Sequence, residues 1–338
     1  LKFFMKIVFL VLRNNYRFFA LGNFAKSRKY GDVLIISLGG KFKSIIGSCL
    51  YYLGIGKFIS IDGSPFLENQ NNSINFWLTG TSLKILNKYN NYKNNFVNMS
   101  NPIVGKEKKI FQIYPVIKKS YKINSFPKII FMGKVHFHPG DKNFVNVKFL
   151  EENKNRLIQD FSLVDKSKFW SKIYSNKNSL INFENYKIIK TYQREQIISK
   201  IHKNFKNFLY LFGENSKKSK FHFHKPIYDN AKVQSIYNGN ICIDMGSVLG
   251  SMSLHPRSIQ IIENGGLIIQ TKQQDADIIW GEMNNKIIFN NIDKLIESLD
   301  VYLSNPNKCD EILEMTLLHF KNSEKKINKN LNKLLFKK

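Results

Sequence analysis

The stretch 237–293 places a basic residue at the start of a helix, directly after a glycine- and serine-rich loop. The loop spans 246–253 and includes Ser247, and the helix begins near Pro256, since proline is favoured in a first helical turn. Free backbone N–H groups and the positive end of the helix dipole make such a place an anion site. Arg257, in the first turn, has a guanidinium that can bridge phosphate oxygens. The pattern predicts a phosphate cradle, with an ordinary loop connection as the alternative.

An acidic residue and two glycines follow on the same helix. Glu263 comes two turns later, and Gly265 and Gly266 let the chain turn tightly into the next apolar strand. Glu263 is a candidate ligand-binding carboxylate, and a solvated helix residue is the alternative.

Two further chemical candidates lie in the first part of the chain. The glycines Gly39 and Gly40 follow an apolar strand and precede a helix-like segment, but the full phosphate-binding pattern is absent, so the nucleotide signal is weak. Asp62 also follows a strand and is a candidate base on the acceptor side of a transfer reaction.

Histidines occur in two His-Phe-His pairs, His136 with His138 and His222 with His224. Residues i and i+2 share one face of a strand, so each pair could chelate zinc. No acidic or cysteine partner lies nearby in the sequence, so we predict no metal site. His136 and His138 are better interpreted as contacts to a donor or acceptor at a strand end.

Short apolar runs alternate with helix-like segments, which favours open parallel sheets. We predict strands over 6–11, 32–37, 57–61, 75–78, 109–116, 128–133, 207–213, 240–245, 266–270 and 286–289. We predict helices over 41–53, 193–205, 256–262 and 291–303, with Asn305-Pro306 ending the last of these. The polar stretch 87–96 is predicted as a loop, and 151–190 as an insertion or helical hairpin.

The chain has 338 residues, which favours two domains. The polar stretch 118–127 ends in proline and is the predicted boundary. We therefore expect an N-terminal Rossmann-like acceptor-side domain over 1–125 and a C-terminal donor domain over 126–309. A basic helix over 310–338 is expected to pack back on the N-terminal domain.

The formal net charge is +27, from 52 basic and 25 acidic residues. Such an excess indicates nucleic acid, an anionic membrane face or phosphate-bearing substrates as partners, and a Lys-, Asn- and Ile-rich genome is the alternative cause. Cys49, Cys242 and Cys309 are far apart and suggest neither a disulfide framework nor a metal site, which favours a reducing cytoplasm. The apolar run 7–12 is too short to span a bilayer, which needs roughly 20 residues.

The C-terminal half resembles the GT-B glycosyltransferases, in particular the bacterial group named after the spore-maturation protein CgeB and the group 1-like C-terminal domain. The resemblance is strongest over 237–306 and looser over 130–320. It rests on an arginine opening a helix, a glutamate before a double-glycine turn, and a later helix ending in Tyr-Leu-Ser-Asn-Pro. The matching residues are Arg257, Glu263, Gly265, Gly266, Asn291, Leu295, Tyr302, Leu303, Asn305 and Pro306, with the strand-ending Gly133 and Gly213.

The resemblance implies an α/β fold with two Rossmann-like domains facing across a cleft. It implies that Arg257 binds the diphosphate and Glu263 the ribose of a nucleotide-sugar, with Ser247, Gly213, Gly39, Gly40, Gly265 and Gly266 lining the donor site. Retaining enzymes of this fold carry a glutamate eight positions before the ribose glutamate, where this sequence has His255. His255, Asp62 and His138 are the candidate catalytic residues.

The predicted function is metal-independent transfer of a sugar from a nucleotide-sugar to a glycan or lipid-linked acceptor, as in bacterial polysaccharide biosynthesis. No cofactor is expected beyond the donor substrate, and no specific nucleic acid. We expect a cytoplasmic protein with peripheral contact at the inner membrane face. The alternatives are a basic nucleic-acid-binding protein and an inactive GT-B scaffold.

Overall fold

The computed structural model describes two parts of the chain at different depth. In the first part it gives the backbone of five strands, at 34–38, 57–62, 74–79, 95–98 and 110–112. In the second it covers 115–133, 135, 151–163, 179–213, 221–227, 229–246, 254, 256–273, 276–322 and 325, with side chains in the long helix at 179–205 from Ile188 onward. By contacts, the chain separates into one unit of Leu1–Val116 with Phe320–Lys338 and another of Ile117–His319. The domain roles predicted for 1–125 and 126–309 stay predictions.

The first unit contains a parallel five-stranded sheet. Its strands are β1 (Leu34–Leu38), β2 (Lys57–Asp62), β3 (Ile74–Thr79), β4 (Asn95–Asn98) and β5 (Ile110–Gln112). They lie in the order β1-β2-β3-β4-β5, all parallel. Four of these five strands match predicted ranges, whereas β4 begins inside the polar stretch expected to be a loop. The strand predicted over 6–11 and the helix over 41–53 lie outside the described residues.

The second unit contains another parallel five-stranded sheet. Its strands are β6 (Ile129–Met132), β7 (Leu209–Phe212), β8 (Ile241–Asp244), β9 (Leu267–Thr271) and β10 (Ile288–Phe289). Every residue of β6, β8 and β9 is buried, as expected of parallel strands covered on both faces. The predicted strand over 286–289 is shortened, because Lys286 and Ile287 belong to a helical turn.

Helices connect these strands. They are α1 (Lys154–Gln159), α2 (Ser179–Phe205), α3 (Asn230–Tyr237), α4 (Pro256–Glu263), α5 (Ala276–Trp280), α6 (Asn284–Ile287), α7 (Ile292–Ser304) and α8 (Pro306–Phe320). The stretch 151–190, predicted as an insertion or helical hairpin, therefore contains α1 and the first 12 residues of the 27-residue α2.

Local chemistry sets the ends of the last two helices. The side chain of Asn291 accepts a hydrogen bond from the backbone N–H of Lys294 and caps α7. Asn305-Pro306 ends α7 as predicted, and the side chain of Asn305 caps α8 by accepting from the N–H of Lys308 at 3.1 Å. The final helix thus begins at Pro306 rather than at Asp310, because proline fits a first helical turn.

The order of the second sheet is β7-β6-β8-β9-β10. The chain runs outward from β6 to β7 and then crosses to β8 on the other side of β6. Ligands of open parallel sheets bind beyond the carboxyl ends of the strands at such a reversal. The topology therefore predicts a ligand site in the space beyond Met132 and Asp244. Both halves of the chain are parallel-sheet structures, which confirms the α/β class.

Candidate functional site

Two glycines lie in contact at the carboxyl ends of β6 and β7, so no side chain of their own covers the backbone there. Gly133 follows β6, and its N–H donates to the carbonyl of Phe212 at 2.8 Å. Gly213 follows β7, and a Cβ on it would lie 2.5 Å from the carbonyl oxygen of Gly133. A Cβ on Gly133 would lie 2.6 Å from Nη1 of Arg257. A side chain at Gly213 would meet main chain that cannot move aside, whereas a side chain at Gly133 would push away the guanidinium of Arg257.

Arg257 lies where the sequence predicted, in the first turn of α4 and partly exposed. Its Nη1 donates to the main-chain carbonyl of Met132, the last residue of β6. The contact holds a delocalised cation with five N–H donors at the carboxyl edge of the sheet. This is the chemistry expected for binding an anion at the N-terminus of α4.

A second cation at this edge comes from α2. Arg194 is 5% exposed, and its Nη2 donates to the carbonyl of Gly246, just beyond β8. Lys190 precedes it by one helical turn, so the two side chains share a face, and Lys190 is 1% exposed. Sequence reasoning missed both. The available signal was a basic pair at i, i+4 within a helix whose neighbours Ile197, Ile198 and Ile201 are apolar and buried.

The carboxylate of Asp244 fixes this part of the site. Asp244 is 1% exposed, and its Oδ2 accepts from the hydroxyl of Ser258 at 2.6 Å and from Nε2 of Gln270 at 2.9 Å. Its Oδ1 accepts from the N–H of Gly246 at 3.0 Å. Gln270 in turn accepts from the indole N–H of Trp280 at 3.2 Å. These bonds hold β8, β9 and the start of α4 in one arrangement.

Gln273 lies against the turn after β8. Its Nε2 donates to the carbonyl and to the hydroxyl of Thr271, both at 3.1 Å. Gly246 has φ +70°, and a Cβ there would lie 2.7 Å from Nε2 of Gln273. The turn therefore needs glycine both for its backbone conformation and for the room it leaves to Gln273.

A groove of about 1140 Å³ extends from this point along the edge strand β10. Gln273 lines it together with side chains of α6 and α7, including Asn284, Ser298 and Tyr302. Arg257 does not line this groove. The groove is therefore separate from the space around Arg257 at the carboxyl ends of β6 and β8. Gln273 lines the groove and also lies against Gly246, just beyond β8.

The structure separates Glu263 from Arg257. They lie at opposite ends of the eight-residue α4, and six residues of helix span about 9 Å. The carbonyl of Glu263 accepts from the hydroxyl of Tyr121 at 2.6 Å, beside the turn that precedes β9. Burial, and secondarily the charge of Glu263, raises the pKa of Tyr121. Glu263 thus stands at the amino edge of the sheet, away from the carboxyl ends where ligands bind.

Gly265 and Gly266 stand at the same amino edge, and their roles there are structural. Gly265 has φ +75°, and a Cβ on it would overlap the ring of Tyr121. A Cβ on Gly266 would lie 2.7 Å from Sγ of Cys242. The prediction that a double glycine lets the chain turn tightly into a strand is confirmed in this geometry. Their predicted role in donor binding stays a prediction.

For six other predicted site residues, the structure describes either nothing or the backbone alone. Gly39, Gly40, His138, Ser247 and His255 lie outside the described residues. Asp62 is the last residue of β2, at its carboxyl end, and its side chain is not described. Their roles stay predictions.

A metal ion needs several ligating side chains that converge on one point. No group of three or more His, Cys, Asp and Glu side chains comes together in the described part of the chain. Of the two histidine pairs, only His222 and His224 are among the described residues. The ring of His224 stacks on the rings of Phe212 and Tyr210, with centroid separations of 5.0 Å and 5.7 Å. Within the same residues, no helix has the length and apolar character needed to cross a membrane.

Comparisons with known proteins give a structural likeness only. No protein-family model matches the sequence, and no curated protein matches it. Two solved structures of T4 phage BGT are similar, one with its UDP-glucose substrate at TM-score 0.44 and one with UDP and Mn²⁺ at TM-score 0.42. Each is 10% identical and covers 91% of this chain and 83% of the other. We transfer no residue role or ligand from them.

Proposed function

We propose that this protein is a glycosyltransferase that uses a nucleotide-sugar, and that its second unit binds the donor diphosphate at the carboxyl edge between β6 and β8. The observation that carries the proposal is the pair of arginines at this edge. Arg257 comes from the helix after β8, and Arg194 from the helix before β7. Their contacts with Met132 and Gly246 place both guanidinium groups at the ends of the two strands that flank the reversal.

A diphosphate suits this place for three physical reasons. Guanidinium groups match phosphate oxygens with paired N–H donors. The N-terminus of α4 adds backbone N–H groups and a positive dipole end. The nearby carboxylate of Asp244 accepts three hydrogen bonds from protein groups, so it is already engaged within the protein scaffold.

The same groups would assist the transfer step. The bond between the sugar C1 and the β-phosphate oxygen breaks, and C1 forms a bond to the acceptor hydroxyl oxygen. Negative charge then grows on the departing nucleoside diphosphate, where Arg194, Arg257 and the amides of α4 stabilise it. We propose that these cations serve in place of a metal ion. The acceptor proton passes to a base, for which Asp62, His138 and His255 remain the candidates.

The acceptor is a separate part of the proposal, and the net charge of the chain supports it. With a formal charge of +27, the chain favours anionic surroundings. We propose a glycan or lipid-linked acceptor, approached from the anionic inner face of a bacterial membrane. The assignment to the group named after CgeB rests on the sequence resemblance alone. Glu263, Gly265 and Gly266 are not part of the proposed donor site, because they stand at the opposite edge of the sheet.

Thermal denaturation with ligands tests the proposal. The purified protein is melted with UDP, GDP, CDP, CMP and their sugars. A ligand at about 100 times its Kd adds roughly 2.7 kcal/mol to the free energy of unfolding. We expect a rise in Tm with one nucleotide family, lost in Arg257→Met and in Arg194→Met. Arg156→Met is the matched control, because Arg156 is an exposed arginine of α1.

The outcomes separate the alternatives. A shift kept in both arginine variants would place the donor elsewhere. No shift with any nucleotide, together with DNA retention that weakens steeply with salt, would favour nucleic-acid binding. No shift and no DNA binding would favour an inactive scaffold.

A further inference from the structure

The groove beside β10 contains two amide oxygens with unsatisfied hydrogen-bonding capacity. Oε1 of Gln273 and Oδ1 of Asn284 are shielded from water and have no hydrogen-bond partner in the described structure. Gln273 as a whole is 1% exposed. Both residues line the groove. Buried polar atoms are nearly always paired, so two orphaned acceptors beside one cavity indicate a ligand that supplies donors.

The orientation of both amides is fixed by their other ends. Nε2 of Gln273 donates to the main-chain carbonyl of Thr271, and Nδ2 of Asn284 donates to the carboxylate of Asp277. Turning either amide over would bring its oxygen against an atom that only accepts. The unpartnered atoms of both residues are therefore acceptors, so a ligand that reaches them must bring O–H or N–H donors.

The rest of the lining favours a neutral, hydroxyl-rich ligand. The charged side chains that line the groove are of both signs, namely Asp160 and Glu297 against Lys272, Lys294 and Lys308, and Lys272 is paired to Asp277. Amide and hydroxyl side chains line the groove together with apolar ones, which include Phe289 and Val301. Such a mixture suits a sugar, whose hydroxyls need polar partners and whose C–H faces need apolar ones.

The groove also adjoins the proposed diphosphate site. Gln273 lies against Gly246, and the carbonyl of Gly246 accepts from Arg194. We propose that the groove is a saccharide-binding site in which Gln273 and Asn284 accept hydrogen bonds from sugar hydroxyls. The inference rests on the proposed function in one respect, namely that the saccharide is either the sugar of the donor or the acceptor glycan.

Binding titrations with two sets of probes distinguish these sources. One set is the methyl glycosides of glucose, galactose, mannose and N-acetylglucosamine, with maltotetraose as a longer chain. The other is the nucleoside diphosphate that stabilises the protein, compared with its nucleotide-sugar. The variants are Gln273→Met and Asn284→Leu, with Asn307→Leu as a control at an exposed position of α8 that does not line the groove. Loss of one such hydrogen bond is expected to weaken binding by about tenfold.

If the groove holds the acceptor, free saccharides bind the wild-type protein, and both groove variants weaken them while the diphosphate is unaffected. If it holds the donor sugar, only the affinity for the nucleotide-sugar falls. Val301→Trp, at an exposed position of α7, fills the groove without removing an internal hydrogen bond and should block binding in either case. Saccharide and nucleotide-sugar affinities unchanged in all three variants, or no saccharide contribution to binding at all, would overturn the inference. The proposed function fails by a different result, namely no binding of the nucleoside diphosphate itself.

Discussion

Arg257 donates a hydrogen bond from Nη1 to the main-chain carbonyl of Met132 and so joins the first turn of α4 to the last residue of β6. The two residues are distant in sequence and belong to the elements on either side of the strand reversal. The contact positions a cation at the place where the sheet topology expects a ligand. Arg194 contributes a second cation through Gly246, on the β8 side.

Replacing Asp244 should weaken the scaffold under this site. In Asp244→Asn, the amide cannot accept at once from Ser258, Gln270 and the N–H of Gly246, so a buried donor is left unsatisfied. We expect a loss of about 1–3 kcal/mol in the free energy of unfolding, measured by urea denaturation. Asp300→Asn, at an exposed position of α7, is the matched control and should stay within about 0.5 kcal/mol of wild type. Equal effects of the two changes would mean that the Asp244 network is not needed.

Gly213 is predicted to tolerate no side chain. In Gly213→Ala, the new Cβ would lie 2.5 Å from the carbonyl oxygen of Gly133, which is main chain and cannot rotate away. Overpacking of this kind costs about 1–3 kcal/mol. In Gly281→Ala the new Cβ meets nothing within 4 Å, and only the positive φ of +50° opposes it. Thermal melts should therefore show the larger loss in Gly213→Ala, and the reverse order would contradict the observed close approach.

Replacing Glu263 tests whether the nucleotide binds at the carboxyl edge of the sheet or at the amino edge. Because its carbonyl is bonded to Tyr121 at the amino edge, we expect Glu263→Gln to change nucleotide affinity by less than about twofold, within the scatter of remote surface substitutions. Calorimetric titration with the stabilising nucleotide measures this. A large loss of affinity would show that Glu263 binds the ribose, as the sequence resemblance implies.

Stability should fall in alkaline solution. Burial raises the pKa of Cys242 well above its usual value and raises that of Cys309 from 9.0 to about 12. Both thiols therefore keep their protons in the folded protein over a pH range where the unfolded chain loses them. Their contribution to the free energy of unfolding is complete below about pH 9 and declines as the pH rises toward 12. Each such thiol gives a slope of about 1.4 kcal/mol per pH unit.

Urea denaturation between pH 7.5 and 10.5 checks this slope, with Cys309→Ala as the comparison. The variant should lose stability less steeply above pH 9 than the wild type. Parallel curves for the two proteins would contradict a raised pKa at Cys309.

The strands buried on both faces were the most predictable part of the fold. Runs such as Ile129–Met132 and Leu267–Thr271 are apolar or nearly so because helices cover both sides of them. The edge strand β10 was predicted too long, since an apolar run alone does not distinguish a strand from the helical turn before it.

The candidate site could be predicted only where it depends on local sequence. A proline and an arginine at a helix start are visible in the chain, and Arg257 lies where they indicated. Arg194 and Gln273 reach the site through packing between elements far apart in sequence, which spacing does not show. The resemblance to the GT-B glycosyltransferases implies that Glu263 and Arg257 bind one ligand, whereas the structure places them at opposite ends of the eight-residue α4.

The most direct test of the central claim compares a nucleoside diphosphate with its own nucleoside. Both are titrated into the wild-type protein and into Arg257→Met, and the ratio of their affinities isolates the contribution of the phosphates. Charge-assisted hydrogen bonds predict a wild-type ratio of at least about ten in favour of the diphosphate, and a fall of about tenfold in that ratio in the variant. Equal affinities in the wild type, or a ratio that Arg257→Met leaves unchanged, would contradict a diphosphate site at the carboxyl edge between β6 and β8.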